Sequence, residues 1–176
     1  MVDAQTVSMV FGGLSVGVAA IYYILTLRTN QRNIKQTLDT RQVQLFMNIY
    51  QKFEEPDFQS TFWGLMSYQW KDFDDYLAKY GQEANASAWI KFQAIGTFFE
   101  GIGVLVKRGF IDATLVDDMM SSFIILWWQK FEPVIIGIRN MYNNPAAGEH
   151  SEELYRIVYG IWRQQHAEDV MPKQPQ

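Results

Sequence analysis

Cysteine is absent from this chain of 176 residues, and histidine occurs only twice. Without cysteine the chain can form no disulfide, offer no thiolate nucleophile and bind no zinc ion or iron–sulfur cluster through sulfur. The two histidines, His150 and His166, stand at the start and the end of one short predicted helix. A di-iron bundle would need Glu-x-x-His pairs on two helices, and the sequence has none. We therefore expect no metal ion and no other cofactor.

Features typical of nucleotide and nucleic-acid binding are missing as well. The phosphate-loop pattern Gly-x-x-x-x-Gly-Lys-Ser/Thr does not occur. Gly101-Ile102-Gly103 falls inside a predicted helix, whereas a phosphate loop follows a strand. The formal net charge of −4 argues against nucleic acid, which is bound by a basic surface. Neither histidine has an obvious serine partner, so we expect a protein that is not an enzyme.

Charged side chains are also missing from residues 4–27, AQTVSMVFGGLSVGVAAIYYILTL. A helix of this length extends about 36 Å, enough to cross a hydrocarbon core of about 30 Å. No Lys or Arg precedes the run, and its end carries the bulky Tyr22 and Tyr23, where a secretory signal peptide needs small residues. The pattern favours a retained transmembrane helix over a cleaved signal peptide, and it predicts a single span.

Four basic residues follow this helix, namely Arg28, Arg32, Lys35 and Arg41. Lys and Arg next to a membrane helix stay on the cytoplasmic side. The sequence therefore predicts a protein of the cell (inner) membrane, with the N-terminus outside and the remainder in the cytoplasm. The four residues either only set this topology or also attract anionic lipid headgroups.

Gly13 and Gly17 give the predicted membrane helix a small-xxx-small face. Such a face lets a second helix approach closely and gain van der Waals contact that lipid does not supply. It predicts pairing with another membrane protein or with a second copy of this chain. Glycine is also frequent in membrane helices that do not pair, so the alternative of an unpaired anchor stays open.

The rest of the chain predicts an all-α fold, because no segment alternates with period two over a useful length. Residues 28–42 form a polar, basic juxtamembrane stalk without Pro or Gly, so one helix should continue from about Ala4 to Glu54. Residues 43–166, the body, are expected to form a helical bundle, and residues 167–176 a flexible tail.

Apolar spacing predicts the other helices at 58–70, 72–81, 86–108 and 113–142 and from about Ser151. Asp57 and Asp112 are the predicted N-caps of the helices at 58–70 and 113–142.

Three residues of the helix at 86–108 are candidates for a special role. Gly96 and Gly103 lie seven positions apart in its apolar stripe, where glycine weakens a helix by about 1 kcal/mol relative to Ala. Close contact with a crossing helix would compensate for this. Glu100 interrupts an apolar run. That run is too short to cross the membrane as a second transmembrane helix. Glu100 is either a partly exposed or ion-paired carboxylate, or a buried group that handles protons.

A particular order of residues extends from this helix into the next. It consists of Phe98-Phe99-Glu100, Gly103, the basic turn Lys107-Arg108-Gly109, Asp112 and Trp127-Trp128. In this order the chain resembles an uncharacterised prokaryotic family of small proteins, known only as a domain of unknown function. The resemblance covers most of residues 5–160. It implies one N-terminal membrane helix, a basic juxtamembrane stretch and a cytoplasmic helical body, and it implies no activity.

These observations favour a non-catalytic, membrane-anchored interaction protein. It would be a small accessory or structural subunit of a larger membrane assembly, in contact with membrane lipids and with other membrane proteins or its own copies. The alternatives are a small-ligand sensor or enzyme that uses the bundle core, with Glu100 as its polar centre, and a self-associating membrane scaffold.

Overall fold

A computed structural model describes residues 3–166 of the chain, and the predicted tail at 167–176 lies outside them. Within the described residues there are six α-helices and no strand, which confirms the all-α class. The helices are α1 (Ala4–Glu54), α2 (Pro56–Met66), α3 (Phe73–Tyr80), α4 (Ala86–Lys107), α5 (Ala113–Met141) and α6 (Glu149–Gln165). The contacts divide the chain after Gln44 into two units.

The first unit consists of the part of α1 that ends at Gln44. The helix is unbroken, as predicted, because the segment contains no proline and its glycines lie in an apolar run. Every side chain from Gly12 to Arg41 is exposed. In the polar stretch, the hydroxyls of Thr37 and Thr40 donate hydrogen bonds of 2.9 and 2.8 Å to the carbonyl oxygens four residues earlier.

The second unit, from Leu45, surrounds a core rich in aromatic rings. Trp127 of α5 lies at its centre, 1% exposed, with its ring centroid 4.4 Å from that of Phe131 and 5.5 Å from that of Phe92. The last turns of α1 contribute Phe46 and Phe53 to the same core. Helix α6 packs along both α4 and α5, so these three helices form the frame of this unit.

Local side-chain hydrogen bonds explain where most of these helices begin. Asp112 caps α5 as predicted, by accepting from the backbone N–H of Thr114, and Asp72 and Asn85 cap α3 and α4 in the same way. The prediction that Asp57 caps α2 is wrong. Helix α2 begins two residues earlier than predicted, at Pro56, because the fixed φ of proline suits the first helical position and its missing N–H is not needed there.

Candidate functional site

The start of α6 depends on a carboxylate from another helix. Its N-cap position is Gly148, which has a φ of 69° and no side chain to accept a hydrogen bond. Glu100 of α4 supplies the acceptor instead. One carboxylate oxygen accepts from the backbone N–H of His150 at 3.2 Å. The other accepts from the N–H of Ser151 at 2.8 Å and from its hydroxyl at 3.0 Å.

This arrangement gives Glu100 a structural role that has two physical components. The first N–H groups of a helix have no partner within the helix, and leaving them unpaired in a buried place is unfavourable. The N-terminal end of a helix also carries partial positive charge, which a carboxylate stabilises. Ser151 is 4% exposed, so water has little access to the groups that Glu100 satisfies.

Gly103 lies one turn along α4 from Glu100, on the same face. A Cβ atom at Gly103 would stand 2.2 Å from the carbonyl oxygen of His150 and 2.6 Å from its carbonyl carbon. The backbone of α6 therefore passes directly against α4 at this glycine. One further turn along α4, the Lys107 ammonium lies 2.9 Å from the carboxylate of Glu153. That ion pair raises the pKa of Lys107 and lowers the pKa of Glu153.

Helix α5 also contacts the loop before α6 and the first turn of α6. The Nε of Arg139 donates a hydrogen bond of 2.8 Å to the carbonyl oxygen of Ala147, in the loop before α6. A terminal nitrogen of Arg139 lies 2.9 Å from the carboxylate of Glu152. A Cβ at Gly148 would be 3.0 Å from Ile135. Residues of α4 and α5 thus fix both the loop and the first turn of α6.

A cavity of about 130 Å³ lies beside this junction, with Gly96, Glu100, Trp127 and Ser151 among its walls. A Cβ at Gly96 would lie 3.5 Å from Cζ2 of Trp127, an ordinary van der Waals distance. The two glycines singled out in the sequence therefore differ: Gly103 is pressed against the backbone of α6, whereas Gly96 faces the Trp127 side chain at an ordinary contact distance. The indole N–H of Trp127 has no hydrogen-bond partner among the described residues.

Asp117 of α5 is a buried acid that the sequence analysis missed. It is 3% exposed, and its Oδ1 accepts no hydrogen bond from the described residues. Burial, helped by the neighbouring charge of Asp118, raises the pKa of Asp117. The spacing could have revealed it, because Met120 and Ile124, three and seven positions later, are both core residues and such positions share a helix face.

The residues predicted to act in or near a membrane all lie in the first unit. A Cβ added at Gly13 or Gly17 would meet nothing within 4 Å, so this face of α1 is open. The basic residues Arg28, Arg32, Lys35 and Arg41 are exposed. Residues 13–17 also read Gly-x-Ser-x-Gly, but they lie inside a helix, whereas a nucleophile turn of that pattern joins a strand to a helix.

Together these features define an all-α protein in which Glu100 and Gly103 join two helices of the bundle. The chain belongs to the DUF4760 family, a domain of unknown function, whose model matches residues 13–158. The matched range contains the Glu100–Gly103 junction, the start of α6 and the glycines at 13 and 17. No curated protein and no solved structure matches the chain.

Proposed function

We propose that this protein is anchored in a membrane by the first part of α1 and acts as a non-catalytic interaction subunit of a membrane assembly. The observation that carries the proposal is the apolar surface of α1. The segment from Gly12 has a mean hydropathy of 1.2 with none of its apolar window buried. Val16, Ile21 and Ile24 are 70%, 61% and 50% exposed. Continuous exposed apolar surface of this kind is stable in lipid or against a partner.

Helix α4 also contains an 18-residue window with a mean hydropathy of 1.2, but its surroundings are different. A third of its apolar window is buried, and its inner face contributes side chains such as Phe92, Phe99 and Ile102 to the core. Glu100, in the middle of α4, caps α6. Moving α4 into a bilayer would break that cap and open the core, so we assign a single span to the chain.

The basic residues that follow the span support a cytoplasmic location for the body. Arg28, Arg32 and Lys35 are spaced by four and three positions, which places them on one helix face. Positive charge beside a span remains on the cytoplasmic side. Each of these residues near an anionic membrane surface contributes about 1 kcal/mol of attraction, so they also fit contact with acidic lipid headgroups.

The open glycine face favours a different protein as the partner over a second copy. At 3.6 residues per turn, Gly13, Gly17, Arg28 and Lys35 fall within an arc of about 60°. Two parallel copies that paired through the glycines would bring these cations towards each other at the membrane surface. A partner helix with acidic residues at its cytoplasmic end avoids this repulsion, whereas the self-associating scaffold does not.

Photo-crosslinking in membranes tests this proposal without enlarging the glycines themselves. Benzoylphenylalanine at Ile24 would lie on the glycine face, and at Tyr22 it would lie nearly opposite, about 160° away. Both side chains are exposed. We expect an adduct with a different protein from position 24 and little from position 22. Adducts of twice the chain mass would support the scaffold, and equal yields from both positions would contradict a specific face.

A further inference from the structure

The polar stalk at residues 28–42 contains two apolar side chains, and both are exposed. Ile34 and Leu38 are 61% and 55% exposed, and Leu27, just before the stalk, is 42% exposed. These three residues are spaced by seven and four positions. That is the spacing of the a and d positions of a coiled coil, where apolar residues repeat every 3.5 residues and face a second helix.

The same seven-residue pattern extends back through the glycine face of α1. When Leu27 and Ile34 are d positions and Leu38 is an a position, Gly13 and Gly17 occupy an earlier d and a position. We call this row of a and d positions the seam. A repeat of 3.5 residues drifts by about 20° per heptad on a straight helix, so two helices that stay in contact along the seam wind into a left-handed supercoil. One continuous seam therefore runs from the span into the stalk.

Arg41 occupies the last d position of the seam before the second unit. Its side chain is exposed, and the next a residue, Leu45, packs against the core of the second unit. The one acid of the stalk, Asp39, lies about 160° around the helix from Arg41. In a parallel pair of helices, each d residue lies beside the d residue of the other helix. A second copy of the chain would therefore place two guanidinium groups side by side.

The positions that flank the seam in the stalk add charge of the same sign. Arg28 and Lys35 are e positions, and residues at e face the g positions of a parallel partner. The g positions of this chain that would face them in a second copy are Tyr23 and Asn30, which supply no negative charge. A helix with acidic residues at those positions and opposite Arg41 would neutralise all three cations. Charge at such positions selects the partner of a coiled coil.

We infer that the stalk of α1 pairs with a parallel helix of a different membrane protein, in a two-stranded coiled coil whose partner helix presents acidic residues to Arg28, Lys35 and Arg41. The parallel orientation rests on the proposed function, because it takes the partner to be the protein bound at the glycine face. The stalk is short for a coiled coil, but two helices already paired in the span hold their stalks at a high effective concentration.

The inference also specifies how the two membrane helices cross. A right-handed crossing of about 40° at the glycines is common in membranes. It would separate the two helices by more than about 20 Å at Leu38, which lies about 35 Å along α1 from the glycines. The left-handed seam instead keeps the helices in contact from the span to Arg41. Contact at Leu38 therefore distinguishes the two crossings.

The chain has no native cysteine, so disulfide formation between two tagged copies of the full chain in membrane vesicles can test the seam. One copy keeps Arg41, and the other carries Arg41→Glu, which supplies the acid expected of the partner. Both copies carry Leu38→Cys at the seam or, as the control, Gln36→Cys, which is exposed and lies about 160° away. After mild oxidation, we expect the mixed pair at position 38 to give at least threefold more disulfide than two Arg41 copies, and at least threefold more than the mixed pair at position 36.

The same charge reversal should release the natural partner. In native membranes, benzoylphenylalanine at Leu38 should form an adduct of the same mass as benzoylphenylalanine at Ile24. Arg41→Glu should reduce the yield of this adduct at Leu38 severalfold, whereas Arg41→Lys should retain it. Arg32→Glu makes the same change of charge on the opposite side of the helix, about 180° away, and should leave the yield unchanged.

Three results would overturn the inference. Equal disulfide yields at positions 38 and 36 would mean that the stalk has no contact face. Equal yields for the mixed pair and for two Arg41 copies would mean that Arg41 does not select an acidic partner and that a second copy can cover the seam. A disulfide in the mixed pair at Ile24→Cys without one at Leu38→Cys would indicate a right-handed crossing with separated stalks, which contradicts the coiled coil and leaves the proposed function standing.

Discussion

Gly103 of α4 and His150 of α6 are in direct backbone contact, with only 2.2 Å between a Cβ built on the glycine and the histidine carbonyl oxygen. Real side chains do not approach a backbone oxygen that closely, so the position requires glycine. The same contact brings the first turn of α6 within reach of Glu100. Within the Phe98-Phe99-Glu100 and Gly103 pattern, Glu100 and Gly103 therefore belong to one helix junction, whereas Phe98 and Phe99 contact the rings of Phe58 and Phe62 in α2.

Replacing Gly103 with alanine should destabilise the fold, because either the backbone of α6 or that of α4 must move. Overpacking of this kind has a typical effect of about 1–3 kcal/mol. Gly101→Ala, whose Cβ meets open space, should instead stabilise α4 by up to about 1 kcal/mol. Chemical unfolding of the full chain, followed by circular dichroism, measures both. Equal midpoints for the two variants would contradict the contact.

Replacing Glu100 with alanine removes the cap of α6 and should reduce the free energy of unfolding by about 1–3 kcal/mol. Glu100→Gln retains an acceptor but loses the charge, so it should have a smaller effect. Glu132→Ala, an exposed position on α5, serves as the control. A double-mutant cycle with Ser151→Ala should give a non-zero coupling energy, and additive effects would mean that the Ser151 hydroxyl does not hydrogen-bond to Glu100.

Asp117 should make the fold more stable in acid than at neutral pH. Burial raises its pKa in the folded state, so the folded chain holds this proton more tightly than the unfolded chain does. The contribution is greatest below the unfolded pKa of about 4 and is lost as the pH rises through the folded value. On α6, the side chain of Gln165 and the ring of His166 act in the opposite direction.

The substitution Asp117→Asn should remove this pH dependence. The variant should melt at a higher temperature than the unmodified chain at pH 7, and the difference should shrink as the pH falls towards 4. Glu132→Gln, at an exposed position of the same helix, should change the melting temperature little at either pH. A difference for Asp117→Asn that stays constant between pH 4 and 7 would show that its proton affinity is not altered by folding.

The topology of the anchor can be measured with a pair of reporters fused after Gln176 and expressed in a bacterial host. A fluorescent protein that folds only in the cytoplasm should be active, and alkaline phosphatase, which needs the periplasm, should be inactive. This follows from Arg28, Arg32, Lys35 and Arg41 beside an uncharged run. The opposite pair of activities would reverse the orientation, and loss of both fusions from the membrane fraction would contradict the anchor.

Local sequence was sufficient to predict that each helix exists, because apolar spacing, caps and the lack of proline act within a few residues. It misplaced α2, which was expected at 58–70 and occupies Pro56–Met66. The bounds of α1 and the cap at Asp112 are as expected. The Glu100 cap was not predictable, since it joins residues fifty positions apart. For the same reason Gly137, where an added Cβ would meet the ring of Phe73 at 2.3 Å, carries no recognisable mark in the sequence.

Association should depend on the face of α1 that bears Gly13 and Gly17. Lipid tails are as apolar as leucine, so a membrane helix gains affinity mainly from close packing, which glycine permits and isoleucine blocks. The double variant Gly13→Ile with Gly17→Ile keeps the span apolar and should insert normally, but recovery of its partner in mild detergent should fall severalfold. Gly12→Ile, about 100° and 140° around the helix from these two glycines and equally open, should leave recovery unchanged. Full recovery with the double variant would move the contact to the body.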